Sequence, residues 1–307
     1  MSTTNINEAF IAVSHQQFVN VCCTVAAIVV LVYDYALTID REIGLFWFER
    51  KLSGANIICA LARTVALGYV IVACLVNPTS WTSTRCKGVL LASDLLVLLS
   101  YLIWAVVSAF RVYALTHRKW ALTILTLALG IVPAAMNAAT ISTSAYQVQS
   151  LGGKTFCWVS NPNHPAMSSR FVLLIAPACG MISDIIVLLI TFHCIRPLPC
   201  LRMWARSSER GPLQVLLRAG ALYFVVLTTL NGLQFIIYIK TPTGFVDSFI
   251  APVILIFVPR LMLDLRESTV APVIHASEVF EMTGNSYDTT AAGEHVVNDV
   301  EDPYGFA

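Results

Sequence analysis

The chain has 307 residues, of which 57% are hydrophobic and 12% charged, with 19 Lys and Arg against 18 Asp and Glu. Soluble domains carry about 25% charged residues, so a water-soluble globule is excluded and lipid is the expected solvent. The near-zero net charge argues against a nucleic-acid partner.

Residues 1–17, "MSTTNINEAFIAVSHQQ", hold no basic run ahead of the first apolar stretch. They are expected to form a short extracellular tail without a cleavable signal peptide, and the first stretch is read as an uncleaved signal-anchor. Seven apolar runs approach the roughly 20 residues that a membrane helix needs: 18–37, 55–76, 88–110, 120–139, 171–195, 219–239 and 245–265. The predicted fold is an all-α seven-transmembrane helix bundle, 18–266, in contact with the lipid bilayer. Thirteen Lys and Arg fall on one side of the runs, among them Arg41, Arg50, Lys51, Arg118 and Arg266, and five on the other, Arg85, Lys87, Lys154, Arg170 and Lys240. The positive-inside bias then puts the N-terminus outside and the C-terminus in the cytoplasm. Residues 267–307 carry eight acids, no Lys or Arg and several Ser and Thr, and are expected to be a disordered acidic cytoplasmic tail.

The first run ends in "YDYALTIDREIGLFWFERK", residues 33–51. Tyr33 and Tyr35 suit the headgroup level, and Ile43 to Phe48 read as a short amphipathic stretch on the inner surface. Asp34, Arg63, Asp94 and Asp184 stand at membrane depth, where ionisable groups are costly and point to function. A helical side chain leans toward the N-terminus of its own helix. With helices one and two running in opposite directions, Asp34 and Arg63 lean toward each other, and an Asp34–Arg63 ion pair is expected. Asp94, Asp184, Asn231 and Gln234 are the candidate lining of a ligand or ion pocket.

Six of the nine cysteines lie in the apolar runs, and Cys200 lies in an inner loop. Cys86, before the third helix, and Cys157, in the long fourth-to-fifth loop, fall outside, where disulfides persist. A Cys86–Cys157 bridge is expected to pin that loop across the mouth of the bundle, with Cys74 as the competing partner. Arg111, Tyr113 and Arg118, with Arg202 and Arg206 of the fifth-to-sixth loop, form the candidate cytoplasmic partner face. No set of His and acids assembles three or four zinc ligands, there is no G-x-S-x-G, and the seventh run has no lysine for a retinal Schiff base. Neither catalysis, a metal nor a cofactor is expected.

"YDYALTIDREIGLFW", "FRVYALTHRKW" at 110–120 and "VPRLMLDLRE" at 258–267 resemble an uncharacterised fungal, basidiomycete-type membrane family with an N-terminal domain of unknown function, whose members look like YDYxLTxDxEIxxxW at the end of helix one. The resemblance spans residues 15–267 and implies a multi-pass protein of the plasma membrane. The architecture is also similar to that of G-protein-coupled receptors, although "SAFRVYAL", "TTLNGLQF" and "FVPRLML" depart from their motifs in helices three, six and seven. The resulting expectation is a receptor-like protein with a small-molecule ligand outside and a signalling protein inside. The alternatives are an ion, proton or small-solute transporter that uses the intramembrane acids, and a structural membrane protein.

Overall fold

The computed structural model describes the backbone of residues 3–44, 54–75, 81–116, 119–151, 154–160, 166–195, 212–240 and 246–284. The helices among the described residues are α1 (Thr3–Glu42), α2 (Gly54–Leu75), α3 (Ser83–Leu115), α4 (Trp120–Thr143), α5 (Ala166–Ile195), α6 (Pro212–Lys240) and α7 (Asp247–Gly284). Among the described residues, seven segments are long and apolar enough to cross a membrane: Phe18–Glu42, Gly54–Leu75, Ser83–Leu115, Trp120–Thr143, Leu174–His193, Gly220–Lys240 and Asp247–Arg266. The chain is thus a multi-pass membrane protein built on the expected helices. Val29, Ile71, Leu189 and Leu222 are each more than 60% exposed, which in a bundle of this composition is the surface that meets lipid.

Helix α7 is the central one. In its membrane-length segment 61% of residues are buried, against 17–33% in the other six. Ile250, Ile254, Leu255 and Val258 of α7 pack against Val107 and Val112 of α3, Val187 of α5, and Phe224 and Leu227 of α6 in one apolar core. Gly130 lets α4 lie close on α3, because a Cβ there would stand 3.0 Å from the Cβ of Ala105.

Two helices, α1 and α7, run furthest beyond their expected bounds. α1 begins at Thr3, inside the expected N-terminal tail, and continues past residue 37 to Glu42. The charges of "IDRE" sit on a helix that goes on, because nothing in the segment breaks it before Gly44. α7 runs to Gly284, so the stretch expected to be disordered begins as helix. Val270, Val273 and Ile274 keep a 3–4-residue spacing, and the helix ends at a glycine. Leu265 ends one unit of the chain, and residues 266–307 form a second. Of the amphipathic stretch expected at 43–48, residues 45–48 lie outside the described residues.

The all-α expectation also needs an addition. The α4–α5 connection contains an antiparallel hairpin, β1 (Ala145–Leu151) and β2 (Lys154–Ser160), with Val148 opposite Cys157 and Leu151 opposite Lys154. "AYQVQSL" and "KTFCWVS" place β-branched and aromatic residues on either side of Gly152-Gly153, a short-hairpin signal.

Candidate functional site

Two polar regions interrupt the apolar interior. The first is a cleft between α3, α4, α5, α6 and α7. Asp247, the first residue of α7, is exposed at its mouth. There the Gln234 side-chain nitrogen donates to the Asp247 carboxylate at 2.9 Å and to the Tyr238 hydroxyl at 3.0 Å. The hydroxyls of Tyr238 and Tyr101 donate to the same carboxylate at 3.3 and 3.4 Å. At the floor Asp184 is 2% exposed. Trp104 Nε1 donates to its Oδ1 at 3.0 Å and Asn231 Nδ2 to its Oδ2 at 3.3 Å.

Two cavities lie along this cleft, about 60 Å³ at the mouth and about 20 Å³ at the floor. Tyr101, Pro133 and Asn231 line both. The floor cavity holds one water-sized group, since one probe sphere takes ~10–15 Å³. Pro133 and Pro177 sit inside α4 and α5 beside the cleft. A proline within a helix removes one backbone hydrogen bond and opens the turn before it; one turn further on, the Asn137 side-chain amide donates to the Pro133 carbonyl at 2.8 Å.

The expected pocket is therefore brought together in part. Asp184, Asn231 and Gln234 all line the cleft. Asp94 does not. It accepts from the Tyr146 hydroxyl of β1 at 3.0 Å, so it belongs to the seat of the hairpin. Burial first, and then the hydrogen bond and charge of Asp94, push the Tyr146 phenol up to about 12. The cleft residues missing from the sequence reading are Asp247, Tyr101, Trp104 and Tyr238. Asp247 stood within the seventh run, and its carboxylate in a first helical turn is a favourable placement that could have drawn attention to it.

The Cys86–Cys157 disulfide is present, with a Cα–Cα distance of 5.6 Å. Cys74, the competing partner, is a free and exposed thiol. The hairpin is tied to α3 and its approach by this bridge, by Tyr146 on Asp94, and by the Trp81 amide donating to Thr155 Oγ1 at 2.9 Å. The cleft itself is walled by helices.

The second polar region lies where α1 ends and α2 begins. Asp34, Thr38 and Glu42 are one α1 turn apart and all buried. Arg63 of α2 pairs with Glu42, its Nε donating to the two carboxylate oxygens at 2.8 and 3.0 Å. Arg63 Nη2 also donates to Thr38 Oγ1 at 2.6 Å, and the guanidinium lies 4.9 Å over the Tyr35 ring. Asp34 pairs instead with Arg260 of α7 at 2.5 Å. The expected Asp34–Arg63 pair is thus replaced by two others. Arg63 does lean toward the N-terminus of α2, but the longer α1 carries Glu42 further in that direction than Asp34. The two expected partners join only through Thr38, whose hydroxyl donates to the Asp34 carbonyl at 3.0 Å.

Of the expected partner face, Arg111 sits with its guanidinium 5.0 Å from the centre of the Phe224 ring and close against Gly220. Tyr113 packs on Trp120. Arg118, Arg202 and Arg206 lie outside the described residues.

Residues 22–68 match the profile of a family of unknown function, DUF6533. This segment supplies Asp34, Thr38, Glu42 and Arg63, that is, every side chain of the buried ion network except Arg260. No curated protein matches the chain.

Proposed function

We propose that this chain is a receptor-like sensor that binds a small molecule in the cleft from outside the cell and signals to a cytoplasmic partner at its opposite, basic end. One observation carries the reading: an unbroken run of side-chain contacts from Asp184 to Arg111. Trp104 holds the Asp184 carboxylate at the cleft floor. Its ring packs on Phe224 of α6 with centroids 4.7 Å apart, and Phe224 in turn carries the Arg111 guanidinium on its face. Trp104 and Arg111 are two turns apart on α3, so a ligand that moves the indole moves the ring seating the arginine. Cores are bistable rather than continuously deformable, which suits such a contact to a switch.

Beneath the floor, Leu227, Ile254, Leu255 and Val258 are at most 1% exposed. A transported ion would have to pass this dry layer, which favours sensing over transport. The disulfide supports placing the hairpin on an oxidising, outer side, and the excess of Lys and Arg at the other end supports the same orientation. A site open to the exterior fits the plasma membrane.

The test is flux. The full chain reconstituted in proteoliposomes should leave imposed proton, sodium and potassium gradients intact. Dissipation that disappears in Asp184→Asn would replace the sensor with a transporter.

A further inference from the structure

We infer that the cleft takes a protonated amine, its ammonium group held between the Asp247 mouth and the Asp184 floor. This rests on the sensor reading and names the class of its ligand. Among the described residues, the lining has two carboxylates and no Lys, Arg or His. Its amides are turned to increase that bias. Gln234 spends its NH2 on Asp247 and Tyr238, Asn231 spends its own on Asp184, and Asn137 donates to the Pro133 carbonyl. Gln234, with both N–H groups engaged, leaves a ligand only an oxygen acceptor, and Asn231 and Asn137 each have one N–H engaged and a carbonyl oxygen to offer.

Asp184 is the second, independent observation. It is 2% exposed, and it accepts from two neutral donors, an indole and an amide, one on each oxygen. A carboxylate has about four lone-pair sites, so half of its capacity remains, beside a cavity that it lines. A buried carboxylate without a basic neighbour favours an incoming positive charge. The rings of Tyr101 and Tyr238 flank the mouth, and aromatic faces attract organic cations. The two cavities, which share Tyr101, Pro133 and Asn231, together leave room for an ammonium head between the carboxylates and a short carbon body.

The experiment measures thermal unfolding of the full chain in nanodiscs at constant ionic strength. The probes are phenethylammonium and n-butylammonium chloride, their uncharged counterparts 2-phenylethanol and n-butanol, and sodium chloride alone. The ammonium probes should raise Tm by about 2 °C or more at saturation, and the alcohols should not. Asp184→Asn and Asp247→Asn should each abolish the shift, whereas Asp94→Asn, altered under the hairpin, should keep it. Equal shifts from amines and alcohols overturn the proposal, as does an amine shift that survives both cleft variants. A shift given by sodium but not by the amines overturns it in favour of an inorganic cation. If a cleft variant fails to fold, the comparison of ammonium with alcohol on the native chain still decides. Binding is read here without a partner, so its failure leaves the sensor reading to another ligand class. Flux in proteoliposomes would sink the sensor reading and leave amine binding standing.

Discussion

At the scale of single residues, the paired charges are the places where one atom decides most. Removing one member of a buried ion pair leaves the other uncompensated, at a cost of about 3–5 kcal/mol. Glu42→Gln or Arg63→Met should therefore lower stability strongly in detergent unfolding. The double change Glu42→Leu with Arg63→Met should cost less than either single change. The charge exchange Glu42→Arg with Arg63→Glu should recover part of the loss, and the exchange Asp34→Arg with Arg63→Asp should recover none. Recovery in the second exchange alone would show that Arg63 is paired with Asp34 after all. A second residue-scale expectation concerns Gly220. A Cβ there would stand 2.5 Å from Arg111 Nη1, so Gly220→Ala should displace the guanidinium from Phe224. Faster modification of Arg111 by an arginine-specific dicarbonyl, located by mass spectrometry, would register the displacement. An unchanged rate would mean that Arg111 is not seated there.

At the scale of elements, the hairpin and its bridge stand apart from the helices. The Cys86–Cys157 disulfide spans 71 residues of sequence, and in the chain-entropy model closing such a loop contributes about 4 kcal/mol. Cys86→Ser with Cys157→Ser should lower stability by up to that amount and make β1–β2 easier to cleave in limited proteolysis. Tyr146→Phe on top of it should speed cleavage further, since the phenol is the remaining side-chain tether to Asp94. Cleavage as slow as in the native chain would place the hairpin's order elsewhere. The helices were readable because each presents a long apolar run to lipid, and length and hydropathy alone set their number. Their ends were less readable. Asp34, Thr38 and Glu42 are polar, and the eye ends a membrane helix where charges begin, although one buried face can carry all three. The hairpin is legible in "AYQVQSLGGKTFCWVS", where β-branched and aromatic residues flank a Gly-Gly pair, but its signal is weak beside the long apolar runs around it. The disulfide was legible because it depends only on compartment and position. The cleft was half legible. Asp184, Asn231 and Gln234 are conspicuous in apolar helices, whereas Tyr101, Trp104 and Tyr238 look like ordinary core or interfacial aromatics until their polar ends are seen to meet a carboxylate.

At the scale of the whole molecule, the two polar regions lie on either side of a dry core, and α7 reaches both, with Asp247 at one and Arg260 at the other. Under the proposed sensor function, α7 would be a second route from the cleft toward the α1–α2 network, beside the one through Trp104 and Phe224. Orientation is checked by labelling. Val159→Cys, on the exposed side of β2, should react with a membrane-impermeant maleimide on intact cells. Thr116→Cys, at the far end of α3, should react only after permeabilisation. The reverse pattern would turn the cleft toward the cytoplasm. The central claim, that the cleft speaks to a partner at the opposite end, is tested most directly by capture from native membranes in mild detergent. Wild type is compared with Trp104→Phe, Phe224→Leu and Arg111→Ala, all at matched folded amounts. A cytoplasmic partner should be retained by wild type, lost with Arg111→Ala, and held several-fold less by the two core variants, whose side chains are buried. Equal retention by wild type and all three variants would contradict the account.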